Sequence, residues 1–254
     1  MTVYHNIVHY EECIVPLLQR LSNVEYLTLL LAIDVARTRL NHFVDGFHLE
    51  KDIASYMPNL HIDTIRQSFM KHQQQSIDCA VDYFNNNYGQ CQIYSLPFIG
   101  NRLDFISNRF PLFDINNTFS MVTMLLLFDD VKPFENLFFA RIARALPYLR
   151  TLKVFNELKQ QEKITVTTNN LEFAHLTTLT LFDIHMDYAE QFLYRTYLPC
   201  LIELAIDKDI LLAIIAQDQQ QARDNCSKVE RLVTSEKLDN SVDAVRNFFP
   251  SAFF

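Results

Sequence analysis

The amino-acid sequence predicts an α/β fold in which parallel strands and helices alternate along a solenoid, and three observations carry that prediction. A nine-residue pattern of the form apolar-x-x-apolar-x-x-Leu-x-apolar recurs along the chain. Its copies begin at nearly equal intervals in the C-terminal half, and stretches with helical apolar spacing lie between them. Each unit then contributes one strand and one crossover helix, so successive strands run parallel.

The clearest copies of the pattern start at five positions in the C-terminal half. The intervals between successive starts are nearly constant, as these positions show: Phe119, Leu146, Phe173, Leu198 and Cys226. Thr234 replaces the last apolar residue of the fifth copy. This period and the L-x-x-L-x-L core are typical of leucine-rich repeats. The competing interpretation is an ordinary α/β domain with amphipathic units of similar length.

The seventh position of each copy is a leucine that we expect to be buried. Side chains alternate along a strand, so Leu152 and Val154 point to one face while Lys153 and Phe155 point to the other. We expect the leucines to occupy equivalent places on successive parallel strands of a curved horseshoe, with the strands on the concave side and the helices on the convex side. The leucines are Leu27, Leu125, Leu152, Leu179, Leu204 and Leu232.

Four helices are predicted between or after these strands. Pro133 suits the first position of one helix, because its missing N–H costs nothing there. Asp187 and Glu190 form a capping box for the second helix. The third covers residues 210–222, and one of residues 240–241 caps the fourth.

The N-terminal part of the chain, over positions 1–110, follows the pattern less regularly. Residues 21–29 match it, whereas residues 77–84 and 90–96 alternate like two strands around a turn, so we expect a β-hairpin inserted into the solenoid. No linker rich in proline, glycine or serine separates the halves. The whole chain of 254 residues is therefore predicted to be a single domain, with irregular repeats over 1–110 and regular repeats over 111–254.

At the C-terminus, the residues Phe249-Pro-Ser-Ala begin one more copy of the pattern without its strand leucine. A solenoid needs terminal units that cover its core. We therefore expect the last turn to pack loosely, with Phe253 and Phe254 not well buried.

Composition excludes several classes of function. The three glycines, Gly46, Gly89 and Gly100, lie far apart, which excludes a P-loop or a GxGxxG turn. The net charge of -8 argues against nucleic acid, whose binding needs a basic surface. No apolar run has the length of a transmembrane helix, so no membrane partner is predicted. Five cysteines without a CxxC pair favour reduced thiols in the cytoplasm or nucleus.

The groups that could carry chemistry are scattered, so we predict no enzyme, no metal and no cofactor. His5 and His9 are four positions apart but have no third ligand at a characteristic spacing. His175 lies at a variable position of the repeat, where a surface role is expected. Asp129 and Asp207 each follow a strand, where aspartate ordinarily caps a turn or a helix.

Three stretches carry a family resemblance. They are residues 131–149, which run from a helix into a repeat start, residues 187–193, and residues 80–84 together with 89–94. With these stretches the chain resembles the leucine-rich-repeat half of F-box-like proteins, whose repeats are ribonuclease-inhibitor-like. The resemblance covers most of the chain and implies a non-catalytic protein-binding module, the substrate-recognition part of an F-box-type ubiquitin ligase receptor.

In that family an F-box docks on a cullin-type ligase through an adaptor. No F-box-like helical segment is recognisable ahead of the copy at residues 21–29. The resemblance therefore implies a cullin-type ligase only if an F-box is supplied elsewhere. The alternative is a stand-alone regulatory or inhibitory repeat scaffold without a link to ubiquitin.

An aromatic column on the concave side is the predicted protein-binding surface. Phe128, Phe155 and Phe182 follow the inward pair of three successive strands at equal spacings, with Lys153 and Thr180 beside them. A contiguous patch of exposed aromatic side chains is typical of a protein contact. The alternative is that a loop or long neighbouring side chains cover the rings and make them an edge of the core.

Overall fold

A computed structural model of the chain describes residues 29–34, 76–84, 88–96, 98, 100–110, 118–161, 171–238 and 241–253. Contacts divide the chain into two units, Met1–Ile99 and Gly100–Phe254. The fold is α/β, and its larger sheet is parallel. The assignment of the whole chain to a single domain stays a prediction.

The first unit contains a three-stranded antiparallel sheet, whose order is β1 (Leu29–Asp34), β3 (Tyr88–Leu96) and β2 (Ser76–Tyr83). Strands β2 (Ser76–Tyr83) and β3 (Tyr88–Leu96) form the predicted hairpin, which is confirmed. Strand β1 (Leu29–Asp34) also pairs antiparallel with β3. The expectation that the copy at residues 21–29 leads into the parallel series is therefore wrong, and Leu27 itself lies outside the described residues.

The second unit is built on a parallel sheet of six strands. In spatial order they are β4 (Arg102–Ile106), β5 (Met124–Phe128), β6 (Thr151–Asn156), β8 (Thr178–Ile184), β10 (Glu203–Ile206) and β11 (Arg231–Thr234). Two short strands, β7 (Leu171–Glu172) and β9 (Thr196–Tyr197), also pair parallel. Strand β4 shows that the sheet includes residues before position 111, while the division into irregular and regular repeats stays a prediction.

One row of leucines crosses all six strands in direct register. Each leucine is the Cα partner of the next along the row, which consists of Leu103, Leu125, Leu152, Leu179, Leu204 and Leu232. None of the six is more than 5% exposed. The prediction that the strand leucines are buried at equivalent points of parallel strands is thus confirmed for the five predicted leucines that the structure describes.

A backbone contact recurs at the start of five of the six strands in this sheet. The N–H groups of Arg150 and Thr151 both donate to the Thr123 carbonyl of the preceding strand, at 2.8 and 2.9 Å. The same double donation reaches four other carbonyls, those of Asn101, Arg150, Thr177 and Ile202. Because main-chain groups make these bonds, neighbouring units stack in the same way whatever side chains they carry.

Five helices lie in the described residues of the second unit. They are α1 (Asn136–Ala145), α2 (Met186–Tyr194), α3 (Lys208–Gln217), α4 (Gln220–Cys226) and α5 (Val242–Phe248). Within the described part of the chain, no helix combines the length and the apolar character that crossing a membrane requires.

The helix boundaries differ from the predicted ones in three places. Helix α1 begins at Asn136 rather than at Pro133. His185 is the N-cap of α2, and its Nδ1 accepts the Asp187 N–H at 3.2 Å, so the predicted capping box is wrong. Residues 210–222 are not one helix, because Asp218 adopts a left-handed conformation with φ 50° and separates α3 from α4. An aspartate tolerates that conformation better than most residues.

Aromatic side chains join the first two helices of the second unit. The rings of Phe139 on α1 and Phe192 on α2 meet edge to face, with centroids 4.9 Å apart. Tyr188 of α2 is fully buried, and its hydroxyl accepts the Phe134 N–H at 3.0 Å. Burial raises the pKa of the Tyr188 hydroxyl, so this group stays protonated and hydrogen-bonded.

The backbone at the C-terminus pairs with β11, the outer strand of the sheet. The Phe253 N–H donates to the Glu230 carbonyl, and its own carbonyl accepts the Leu232 N–H, at 2.8 and 3.1 Å. Phe249 is fully buried, but Phe253 is 81% exposed, as expected for a loosely packed last turn. Phe254 lies outside the described residues.

Candidate functional site

The two faces of the six-stranded sheet have different side chains. We call the face that carries the buried leucines the leucine face, and the opposite face the variable face. Strand β6 shows the alternation directly, because Leu152 and Val154 are fully buried while Thr151, Lys153 and Phe155 are half-buried. All the predicted binding residues lie on the variable face.

The register of the sheet brings most of the predicted binding residues together. Phe128 lies opposite Phe155, and Lys153 lies between Leu126 on one side and Thr180 on the other. Equivalent side chains on neighbouring strands of a sheet are separated by about 5 Å, which is contact distance. The sheet therefore presents a continuous surface made from three adjacent strands.

Phe182 lies at an irregularity in this surface. Val154 pairs with Leu181 and Asn156 pairs with Ile184, so β8 has one extra residue at this point. Asp183 accommodates the bulge with φ 50°. Phe182 thus follows the last regular pair of β6 and β8, and it is half-buried like Phe128 and Phe155. The role of these three rings in binding stays a prediction.

Phe105 places a further aromatic ring beside Phe128 on the next strand, which the sequence pattern did not reveal. Its ring meets that of Phe128 edge to face, with centroids 6.3 Å apart. Phe105 has φ 54° and lies where β4 shifts register against β5. The strand escaped detection because Gly100 stands at the fourth position of its copy, where the pattern requires an apolar residue. Leu103 at the seventh position and Phe105 at the ninth were the available signals.

Polar side chains at the C-terminal ends of the strands are engaged by the backbone. The Asp129 carboxylate is 1% exposed and accepts the N–H groups of Asn108, Val131 and Lys132 at 2.8 to 3.0 Å. The Asn156 side chain donates to the Lys132 carbonyl at 2.8 Å. These groups hold successive strand ends together, which agrees with the structural role expected for Asp129.

Asp207 takes a similar role at the end of β10. Its carboxylate accepts the Asp183 N–H at 2.9 Å, and the residue is the N-cap of α3 without a side-chain capping hydrogen bond. The side chain therefore secures the bulge in β8 rather than the helix that follows it. This placement supports a turn function for the aspartate.

The histidines that the structure describes are separated and have local partners. His175 is exposed, and its ring lies 5.9 Å from that of Tyr148, which belongs to the preceding copy of the sequence pattern. His185 caps α2 and its Nδ1 lies 3.2 Å from the Asp187 carboxylate. Among the described residues, no group of three or more potential ligands could hold a metal ion. His5 and His9 lie outside those residues.

Asn225 is a buried polar residue whose role the sequence did not indicate. Its side-chain oxygen accepts the Leu198 N–H at 2.9 Å, and its amide donates to the carbonyls of Leu193 and Thr196 at 3.0 and 2.7 Å. In sequence it begins an Asn-Cys-Ser triplet, which resembles a glycosylation site. At 2% exposure the side chain instead links α4 to the segment after α2.

Cys200 and Cys226 lie in different environments. Cys200 is exposed, whereas Cys226 is fully buried. Burial raises the pKa of the Cys226 thiol, which keeps it protonated and unreactive.

No family model, no curated protein and no solved structure matches the chain. The resemblance to F-box-like proteins therefore stays a prediction. What the fold defines is an α/β unit with a parallel sheet, and the arguments about function rest on the geometry of the variable face.

Proposed function

We propose that this chain is a non-catalytic protein-binding module and that the variable face of its parallel sheet is the binding surface. The observation that carries the proposal is the register that aligns Phe128 with Phe155 and Lys153 with Leu126 and Thr180. Large apolar side chains around a few polar groups are the composition of protein contact surfaces. A rigid sheet beneath them fixes their spacing.

The same proposal includes the overall architecture. We take the second unit to be a leucine-rich-repeat-like solenoid, a curved horseshoe with strands on the concave side and helices on the convex side. The row of six leucines and the recurring bonds at the strand starts support it. In such a solenoid the variable face is the concave one, where repeat proteins bind their partners.

Polar groups at the strand ends support a non-catalytic role. The carboxylate of Asp129 is saturated by three backbone donors, and Asn156 is committed to the Lys132 carbonyl. A general base needs a lone pair that faces a substrate. These side chains instead form their hydrogen bonds with backbone groups of the fold.

A ubiquitin-ligase role is the more specific form of the proposal. In this form the chain recognises the protein to be ubiquitinated, in the cytoplasm or nucleus, and joins a cullin-type ligase only if an F-box is supplied elsewhere. The alternative is a stand-alone regulatory or inhibitory scaffold. A binding assay with the purified ligase adaptor separates the two, because only the first form predicts that the full-length protein binds the adaptor.

Phe155→Ser tests the binding surface. Peptides are selected from a phage-displayed random library on the intact chain, and their affinity for the variant is compared with that for the parent. We expect affinity to fall about tenfold or more, because a central aromatic contact is lost, while the melting temperature changes little. Leu137→Ser is the matched control, since Leu137 is 57% exposed on α1 rather than on the sheet.

Two results would contradict the proposal. A large drop in the melting temperature of the Phe155→Ser protein would show that the ring belongs to the core. Equal affinity of the selected peptides for parent and Phe155→Ser protein would show that they bind another surface. The control variant should leave both peptide affinity and melting temperature unchanged.

A further inference from the structure

Lys153 lies at the centre of the variable face. It occupies the middle of β6, the third of the six strands in the sheet. Its Cα partners are Leu126 on β5 and Thr180 on β8, and Ala205 and Val233 continue the same row. It is thus the one charged residue of its row from β5 to β11.

The lysine has no counter-charge of its own. Within the described part of the chain, no hydrogen bond or ion pair reaches its ammonium group. The charged residues on the outer strands differ in this respect. Arg102 on β4 lies 2.6 Å from the Asp104 carboxylate, and Arg231 on β11 lies 3.4 Å from that of Glu203. The positive charges at both edges of the face are therefore paired with carboxylates, whereas the positive charge at its centre is not.

A second unused donor lies next to the lysine. Thr180 is 9% exposed, and its hydroxyl makes no hydrogen bond within the described residues. The hydroxyls of two other threonines, Thr123 and Thr177, each donate to a backbone carbonyl, at 3.3 and 3.2 Å. The Thr180 hydroxyl therefore differs from these two in keeping its donor available. The ammonium and the hydroxyl stand on adjacent strands in direct register.

The surroundings of these two donors are apolar. Leu126, Phe155 and Ala205 adjoin them along the row or along the strand, and Phe128 lies opposite Phe155. An ion pair formed in such partly desolvated surroundings is stronger than one formed on an open surface. The chain as a whole carries a net charge of -8, which repels strongly acidic segments. One carboxylate within an otherwise apolar segment fits both conditions.

We infer that Lys153 and Thr180 together bind a single carboxylate of the partner, from an aspartate or glutamate flanked by large apolar side chains. The inference rests on the proposed function of the variable face and names the chemistry of its partner. The carboxylate accepts from the lysine ammonium and the threonine hydroxyl, and its apolar neighbours contact the phenylalanine rings. Lys153 then determines which apolar segments the face accepts.

The test uses peptides selected from a phage-displayed random library on the intact chain. One selected peptide is synthesised in its acidic form and in the corresponding amide form, with Asp→Asn or Glu→Gln. Both forms are titrated against the parent and against the variants Lys153→Met, Lys159→Met and Thr180→Val. Lys159→Met removes the same charge from an exposed position beyond the strand and is the matched control.

We expect the selected peptides to be enriched in one acidic residue between apolar residues. Lys153→Met should weaken the acidic peptide about tenfold to a hundredfold, the range for a charged hydrogen bond, and leave the amide peptide unchanged. Thr180→Val should weaken the acidic peptide by a smaller factor, and Lys159→Met should have no effect. Selection on the Lys153→Glu protein should instead enrich lysine or arginine.

Failure of this inference can be distinguished from failure of the proposed function. If Phe155→Ser abolishes binding but Lys153→Met weakens both peptide forms equally or neither, the variable face binds proteins without a carboxylate. If Phe155→Ser has no effect on any selected peptide, or no peptide is selected, the proposed function and this inference both fall. Selected peptides without acidic enrichment overturn the inference alone.

Discussion

Two rows of side chains cross the same sheet one residue apart. They share the register of the strands but differ in the residue types that they contain. The row on the leucine face repeats one residue type on all six strands, from Leu103 to Leu232. The adjacent row on the variable face has a different residue on each of its strands: Leu126, Lys153, Thr180, Ala205 and Val233. Packing constrains the first row to a single shape, whereas the second row is not constrained in this way.

The largest expected effect is on the leucine face. Leu179→Ala should lower the free energy of unfolding by about 2–5 kcal/mol, because it leaves a cavity in place of a fully buried leucine side chain. Thr180→Ala, one residue away on the other face, should cost about 1 kcal/mol or less. Urea denaturation followed by circular dichroism measures both. Similar losses for the two variants would remove the distinction between the faces.

Buried polar groups should matter almost as much as the leucines. Asn225→Ala removes the partner of the Leu198 N–H and of the Thr196 carbonyl. We expect a loss of about 2–4 kcal/mol in urea denaturation, because each orphaned buried group costs about 1–3 kcal/mol. Asn247→Ala, at an exposed position of α5, is the control and should cost little. A loss no larger than that of the control would mean that the Asn225 bonds are replaced without cost.

Tyr188 provides a test with pH as the variable. Tyr188→Phe leaves the Phe134 N–H without its acceptor and should cost about 1–2 kcal/mol at neutral pH. Burial raises the pKa of Tyr188 above its unfolded value of 10.0. The folded state therefore holds the proton more tightly, so the contribution of Tyr188 to stability is complete below pH 10.0 and falls as the pH rises above it.

The variant should show a shallower alkaline loss than the parent. Burial also raises the pKa of Tyr194, to about 12, and that of Cys226, so part of the alkaline loss remains in the variant. The measurement is the free energy of unfolding between pH 8 and pH 11, with Tyr148→Phe at an exposed position as the control. Identical slopes for parent and Tyr188→Phe would contradict the assigned role of the buried hydroxyl.

The smallest effect is expected at the edge of the variable face. Arg231 is 68% exposed where it pairs with Glu203, so solvent screens the interaction. Arg231→Ala should change the free energy of unfolding by about 0.5 kcal/mol or less, and added salt should reduce that difference further. A loss above about 1 kcal/mol would show that charges on this face stabilise the fold, and the functional contrast between the two faces would weaken.

The leucine row could be predicted because two local regularities agree. Alternation along each strand assigns Leu152 and Val154 to one face, and the nearly constant period of the pattern repeats that assignment on the next strand. The helical apolar spacing between the strands predicts crossover connections and hence parallel pairing, and helices α1, α2, α3 and α4 lie in three of these connections. The burial of five predicted leucines needed no knowledge of long-range contacts.

The pairing of β1 could not be predicted in the same way. Residues 21–29 match the pattern as well as the later copies do, yet the strand that begins at Leu29 pairs antiparallel with β3. Apolar residues at alternate positions suit either direction of pairing, and distant segments decide between them. The end of α3 at Asp218 and the N-cap of α2 at His185 could not be predicted for the same reason, because both depend on the residues that surround them.

The candidate site shows the same division. The sequence placed Lys153, Phe155 and Thr180 on one face through their positions in the repeat, and the burial of the alternate residues agrees. It could not place Phe105 in the column, because β4 departs from the pattern and bulges at that residue. It also could not indicate that Lys153 and Thr180 are unpaired, since partners from other strands are absent from any local pattern.

By itself, therefore, the sequence determined which residues are buried on the strands and how often the unit recurs, because both depend on side-chain periodicity within one segment. The tertiary structure alone decided the direction in which β1 pairs, the hydrogen bonds of Asn225 and Tyr188, and the charge left uncompensated at Lys153. Each of these depends on groups that are distant along the chain and meet only when the sheet and helices are assembled.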